Sequence, residues 1–188
     1  QIKQNFHDQI YAGIKDNLRV QFYEKAIQNV VYKQALGKDE SEATDEEKQA
    51  AQKQAEDYLT ANKEKIDADP DGYARSNFGD DAANQLKEQA DAFIKDAEEN
   101  GVEVDPVNAP GYKMTVEQLT QQQLESDDPA LDLNNDGEKD TSFKDAIPIY
   151  AQQAADGMTT GVINYWEGTQ FGAFGMGTSV CLGYSKAY

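Results

Sequence analysis

Nine residues in the C-terminal half of the chain, DLNNDGEKD, place oxygen-bearing side chains at a regular spacing. If the first aspartate is position one, these side chains stand at positions one, three, five and nine, with Gly137 at position six. Calcium takes about six to eight oxygen ligands, and a tightly curled loop with a glycine at its sharp turn brings them around one ion. The pattern predicts a calcium loop whose side-chain ligands are Asp132, Asn134, Asp136 and Asp140.

Two further ligands are predicted from the same spacing. The sharp turn at Gly137 brings the main-chain carbonyl of Glu138, at position seven, toward the ion. A regular twelve-residue loop ends on a bidentate acid, but position twelve here is Phe143, and Asp145 follows two residues later. Either Asp145 closes an irregular loop, or the site uses Asp140 and water, as shorter loops do. Both versions predict the modest affinity of an extracellular module.

The charge around the loop also favours a cation. Residues 125–145 contain eight acidic and two basic side chains, which repel one another unless they are neutralised. The alternative is a plain polar turn, because turns are built from the same Asn, Asp and Gly residues. A single loop lacks the paired partner that calcium sensors use, so we expect calcium to brace the structure and not to act as a signal.

The segment DLNNDGEKD resembles the calcium loops of the EF-hand, dockerin and thrombospondin type 3 families. It is also similar to the DxNxDGxxD loops between strands of some extracellular β-propellers. The segment KDAIPIYAQQAAD that follows it looks like the helix after a dockerin loop. These resemblances imply calcium as the cofactor, and they concern only the loop and the residues next to it.

Catalytic residues are scarce in the sequence. His7 is the only histidine and Cys181 the only cysteine, which argues against a catalytic triad and against a zinc cluster. We interpret His7 as a solvated residue on a polar helix face and Cys181 as a packed thiol. Carboxylate pairs are expected by chance in so acidic a chain. The sequence therefore predicts a protein that is not an enzyme.

Composition limits the expected partners. Among 188 residues, 35 are acidic and 17 basic, so the formal net charge is −18 and the surface repels nucleic acid and anionic lipid. No run reaches the roughly 20 apolar residues of a membrane-spanning helix. We expect a protein partner or self-association. The location is expected to be extracellular or at the cell surface, where calcium is concentrated enough to fill a weak loop.

Apolar spacing predicts helices through the first hundred residues. A first amphipathic helix is expected to end at Leu36, and a capping-box pattern at Thr44 and Glu47 predicts the start of a second. Residues 69–72, DPDG, are typical of a turn, and a third helix is expected to end at Gly101. The apolar residues that recur every four positions in the first helix are Phe6, Ile10, Ile14, Leu18, Phe22, Ala26 and Val30.

The remainder of the chain is expected to be more varied. The segment VEVDPVNAPGYK predicts an extended connector, with a domain boundary near Pro106. Thr115 and Gln118 predict a short capped helix, and a helix with Pro148 in its first turns is expected after the loop. Glycines and aromatics in the last 30 residues favour a small hairpin or an extended arm.

The predicted fold class is therefore mainly α, with a helical domain at residues 1–105 and a calcium-loop region at residues 106–188 that ends in the glycine- and aromatic-rich tail. Because the chain starts with Gln1, we expect a processed product or a fragment. The expected function is a calcium-stabilised subunit for assembly or protein binding.

Two broader resemblances suggest other functions. The stretch from Phe22 to Val104, with VVYKQAL and ATDEEKQAAQKQAEDYL, looks like the helical N-terminal region of SurA- or PrsA-type foldases, which implies a client-binding chaperone module. DLNNDGEKD followed by DAIPIYA and FGAFG is similar to a surface loop of bacterial extracellular solute-binding proteins, which implies a fragment of such a protein.

Overall fold

A computed structural model describes residues 1–160 of the chain. The predicted C-terminal hairpin or arm, together with Cys181, lies outside the described residues. Within residues 1–160 the structure is mainly α-helical, as the sequence predicts, with six α-helices and a single two-stranded sheet. In chain order these are α1 (Ile2–Leu36), α2 (Asp45–Ala68), α3 (Pro70–Phe78), α4 (Asp80–Glu99), β1 (Val102–Glu103), β2 (Lys113–Met114), α5 (Val116–Glu125) and α6 (Phe143–Thr160).

Both predicted capping boxes are present. The hydroxyl oxygen of Thr44 accepts the backbone N–H of Glu47, and the Glu47 carboxylate accepts the N–H of Thr44 in return. Thr115 and Gln118 make the same pair of hydrogen bonds at the start of α5. The first helix also ends at Leu36, as predicted. These features follow from the sequence because each depends on residues no more than a turn apart.

The turn predicted at residues 69–72 is wrong, because these residues begin the helix α3. Asp69 is the N-cap, and its Oδ1 accepts the backbone N–H of Gly72 at 2.9 Å. Pro70 occupies the first helical position, where its missing N–H removes no helical hydrogen bond. An N-cap aspartate followed by proline uses the same residue types as a turn, so the local sequence does not separate the two.

The predicted extended connector is a hairpin. Strands β1 and β2 pair antiparallel, with Val102 opposite Met114. Gly101 precedes the first strand with a φ of 81°, and a Cβ on it would lie 2.7 Å from the main-chain carbonyl carbon of Met114. Glycine is therefore required at this position both by the backbone conformation and by the close approach of the second strand.

The described chain forms two compact units. One contains residues 18–96, and the other contains residues 1–17 together with residues 97–160. The core of the first unit is a single cluster of buried apolar side chains, in which Ile27, Ile66 and Ala55 are fully buried. Burial raises the pKa of Tyr23 in this core to about 12, and the nearby Asp71 carboxylate adds to the rise. The boundary expected near Pro106 stays a prediction.

The core of the other unit is built around the first turns of α1. The ring of Phe6 lies 5.4 Å from that of Phe143, edge to face, and 5.5 Å from that of Tyr150. Val116 and Leu124 from α5 are also buried. Phe143 and Tyr150 belong to α6, so the residues that follow the candidate loop are held by the aromatic packing of this unit.

Candidate calcium site

The loop between α5 and α6 is closed at its base by a backbone pairing. The N–H of Leu131 donates to the carbonyl of Thr141 at 2.8 Å, and the N–H of Thr141 donates back at 3.1 Å. Leu131 is 6 % exposed and Ser142, just beyond the pairing, is 2 % exposed. The two ends of the loop are therefore fixed in the core, while the residues between them curl outward.

Asp132 organises the curl from its first position. Its Oδ1 accepts the N–H of Asp136 at 3.3 Å, and its Oδ2 accepts the N–H of Gly137 at 2.9 Å. Asn135, which precedes both of these N–H groups, adopts a left-handed φ of 59°, and Gly137 continues the turn with a φ of 93°. Asparagine and glycine are the residues that tolerate this conformation best.

Asn134 joins the side chains at positions three, five and nine. Its Oδ1 accepts the N–H of Asp136 at 3.1 Å. Its Nδ2 donates to Oδ2 of Asp136 at 2.9 Å and to Oδ2 of Asp140 at 3.4 Å. The amide group thus lies between two carboxylates and supplies the partial positive charge that they need. A cation bound by both carboxylates would do the same with a full charge.

Glu138 contributes to the curl of the loop through its backbone. Its N–H donates to Oδ1 of Asp136 at 2.9 Å. This hydrogen bond continues the inward curl that begins at Asp132, while the Glu138 side chain is exposed to solvent. The role of its carbonyl oxygen as a ligand stays a prediction.

Asp145 lies at the start of α6, where it pairs with Ser142. The hydroxyl of Ser142 donates to Oδ2 of Asp145 at 2.9 Å, and the N–H of Asp145 donates to the Ser142 oxygen at 3.1 Å. The second of these bonds is the contact of an N-cap serine with the N–H of the third helical residue, and the first joins the two side chains. The structure therefore gives Asp145 a capping contact, and its predicted role as a calcium ligand stays a prediction.

Asp127, upstream of the loop, forms an ion pair with Lys144. Oδ1 of Asp127 lies 2.6 Å from Nζ of Lys144, and this contact raises the pKa of Lys144 above its usual value. The Asp127 carboxylate therefore has a cationic partner outside the loop.

The residue types of the loop fit a hard cation such as calcium. Each carboxylate oxygen carries more than one lone pair, so an oxygen that accepts a backbone N–H can still bind a metal ion. Across residues 1–160, no three His, Cys, Asp or Glu side chains are placed to hold a metal by themselves. The loop would instead combine its carboxylates with the Asn134 amide oxygen and a main-chain carbonyl, as calcium sites commonly do.

The structure assigns His7 a role that differs from the sequence interpretation. Its Nε2 lies 2.9 Å from Oε1 and 3.0 Å from Oε2 of Glu117, and its Nδ1 lies 3.2 Å from Oδ1 of Asp8. The sequence interpretation is a solvated residue; the side chain of His7 is 21 % exposed and is paired with these two carboxylates. Hydrogen bonds to Glu117 and Asp8 raise the pKa of His7.

Comparison with known proteins does not add a family. No protein-family model, curated protein or solved structure matches the chain. The resemblances to calcium loops, to foldases and to solute-binding proteins therefore stay predictions from the sequence. Among the helices of residues 1–160, none has the length and apolar character that crossing a membrane requires.

Proposed function

We propose that residues 132–140 bind one calcium ion, and that this ion braces a secreted or cell-surface protein whose role is assembly or protein binding. The observation that carries the proposal is the convergence of the Asp132, Asn134, Asp136 and Asp140 side chains within one curled loop. Their spacing matches the ligand positions of calcium loops. Hydrogen bonds join Asn134 to both Asp136 and Asp140 and tie Asp132 to the N–H of Gly137. Catalysis is not part of this proposal.

A bracing role is supported by the way the loop is anchored. Its ends, at Leu131 and Ser142, are buried, and Phe143 packs directly on Phe6. An ion that fixes the loop would therefore resist opening of the backbone pairing at its base. Because calcium would bind the folded loop and not the unfolded chain, binding adds to the free energy of unfolding.

The affinity expected for this site sets the conditions of the test. Extracellular modules bind calcium with dissociation constants of about 0.1 to 1 mM. At roughly 10 mM calcium, such a site would add about 1.4 to 2.7 kcal/mol to the free energy of unfolding. The melting temperature should therefore be a few degrees higher in calcium than in EDTA, with both samples in magnesium-free buffer.

The experiment combines calorimetric titration with thermal unfolding on the wild type and on the double variant Asp132→Ala/Asp136→Ala. A matched control is Asp105→Ala, because Asp105 accepts the backbone N–H of Asn108 in a polar turn outside the loop. Calcium should stabilise the wild type and the control but not the double variant. If calcium binds none of them, or binds all three equally, the loop is only a polar turn and the proposal fails.

The assembly role is tested separately by sizing the protein with and without calcium. Calcium-dependent self-association, detected by light scattering and lost in the double variant, would support a role in assembly. A protein that stays the same size at all calcium concentrations would restrict the role of the ion to stability and leave binding of a different protein to be sought.

A further inference from the structure

Asn100 and Gly101 connect α4 to β1, and Asn100 is the single asparagine of the sequence that precedes a glycine. An asparagine loses its side-chain amide when the backbone nitrogen of the next residue attacks the side-chain carbonyl carbon. A glycine in the next position favours this attack, because it has no Cβ to obstruct the ring that forms and it adopts unusual backbone angles at low cost. The pair therefore has the residue types of a deamidation site.

The backbone N–H of Gly101 supplies the attacking nitrogen, and it donates no hydrogen bond to any residue in the range 1–160. The equivalent group is engaged in two Asp–Gly pairs of the chain. The N–H of Gly72 donates to Oδ1 of Asp69 at 2.9 Å, and that of Gly137 donates to Oδ2 of Asp132 at 2.9 Å. A hydrogen bond to a carboxylate holds the amide proton on its nitrogen and hinders the attack. Gly101 lacks this protection.

The position of Asn100 in the fold also favours the reaction. Asn100 is exposed and lies one residue beyond the end of α4 at Glu99, so water reaches its side chain and ammonia can leave. The regular backbone angles of an α-helix hinder closure of the five-membered ring. At Gly101 the backbone departs from the helix with a left-handed φ of 81°. The pair is thus placed where the chain changes direction at the surface.

We propose that Asn100 is a site of spontaneous deamidation, and that this modification loosens the hairpin of β1 and β2 as the protein ages. The nitrogen of Gly101 forms a bond to Cγ of Asn100, the bond from Cγ to Nδ2 breaks, and ammonia leaves with the proton of the Gly101 N–H. Water then opens the cyclic imide at one of its two carbonyl groups. One product is aspartate, and the other is isoaspartate, in which the main chain runs through the side-chain carbon.

The isoaspartate product lengthens the main chain by one carbon beside a close contact. A Cβ on Gly101 would lie 2.7 Å from the main-chain carbonyl carbon of Met114, so the two strands leave little room there. Val102, the next residue, is paired with Met114 in the hairpin. A longer link at position 100 displaces Gly101 or Val102 from this packing, and the pairing of the two strands weakens.

The test is prolonged incubation of the full chain at mildly alkaline pH, which promotes loss of the amide proton. Peptide mapping by mass spectrometry follows the gain in mass as an amide becomes a carboxylate, and an isoaspartate methyltransferase assay measures the isoaspartate product. The matched variant is Asn100→Gln, because glutamine keeps the amide but must close a larger ring. Asn135 is the internal reference, since it is also exposed but precedes an aspartate. A sample unfolded in urea gives the rate without the fold.

We expect Asn100 to deamidate about tenfold faster than Asn135 in the folded protein, because glycine lowers the barrier to ring closure. The urea midpoint of the wild type should fall as isoaspartate accumulates, while Asn100→Gln keeps both its mass and its midpoint. The site is refuted if Asn100 deamidates in urea but not in the folded protein, or if Asn135 reacts as fast. Deamidation of Asn100 with an unchanged urea midpoint would refute the effect on the hairpin.

Discussion

Oδ2 of Asp132 accepts the backbone N–H of Gly137 at 2.9 Å, across five residues of the loop. This hydrogen bond links the first predicted ligand position to the glycine at the sharp turn. At the same residue the backbone turns into the left-handed region, with a φ of 93°. The carboxylate at the first ligand position and the sharp turn of the loop therefore meet at Gly137.

The first prediction concerns Gly137→Ala. A Cβ at this position would meet no atom within 4 Å, so the substitution introduces backbone strain without a clash. The left-handed conformation should cost about 1 to 2 kcal/mol, and the loop should relax away from its inward curl. We expect calorimetry to show that the variant binds calcium more weakly. The variant should therefore lose less stability in EDTA, where no calcium is bound, than it loses in calcium. Unchanged calcium affinity would show that the curl is not needed for binding.

The second prediction concerns Gly101→Ala, where strain and a clash coincide. The added Cβ would lie 2.7 Å from the Met114 carbonyl carbon, a backbone atom that cannot turn away as a flexible side chain can. We expect a larger loss of stability than at Gly137, about 2 to 4 kcal/mol, from urea unfolding. Gly37→Ala is the matched control, since Gly37 also has a left-handed φ but has open space around it. Equal losses at Gly101 and Gly37 would mean that Met114 yields to the new methyl group.

The third prediction concerns pH and the pairing of His7 with Glu117. The pKa of His7 is raised in the folded state, so its stabilising effect is complete below the unfolded pKa of about 6.5 and is lost as pH rises through the folded pKa. His7→Gln should therefore destabilise the protein at about pH 5.5 and much less at about pH 8.5. The difference should be below about 1 kcal/mol, because Glu117 is 60 % exposed and solvent screens the pair.

The measurement for His7 is the urea midpoint of the wild type and of His7→Gln at both pH values. Comparing the two proteins at each pH cancels the titration of the many carboxyl groups that they share. A difference that is the same at both pH values would mean that His7 contributes only by packing and that its charge has no effect.

The fourth prediction concerns Asp145, whose role distinguishes the two predicted versions of the calcium site. In one version Asp145 closes an irregular loop, and in the other the site uses Asp140 and water. Asp145→Asn keeps an oxygen that can accept the Ser142 hydroxyl but removes the negative charge. Asp145 lies in the first turn of α6, beyond the backbone pairing of Leu131 with Thr141 that closes the loop, so we expect this change to weaken calcium binding far less than Asp136→Ala. A loss of affinity as large as that of Asp136→Ala would instead favour an irregular loop that Asp145 closes.

The capping contact itself gives Ser142→Ala as a companion to this experiment. Replacing an N-cap serine by alanine should lower stability by about 1 kcal/mol, with or without calcium. Calcium affinity should change little, since Ser142 lies outside the predicted ligand set. This variant therefore separates damage to the start of α6 from loss of a ligand.

Much of the helical fold could be predicted because its signals are local. The capping boxes at Thr44 and Thr115 each depend on a residue three positions away, and the end of α1 at Leu36 depends on the adjacent Gly37. The start of α3 could not be predicted, because Asp69 and Pro70 are equally typical of a turn and of a helix N-terminus. Only the rest of the fold selects between them.

The sequence by itself determined the ligand spacing of the loop, since curvature and side-chain direction there follow from neighbouring residues such as Asn135 and Gly137. The tertiary structure alone decided that His7 pairs with Glu117, 110 residues away, and that Gly101 lies against Met114. These contacts depend on how separate elements pack, and residue types along one stretch carry no information about such distant partners.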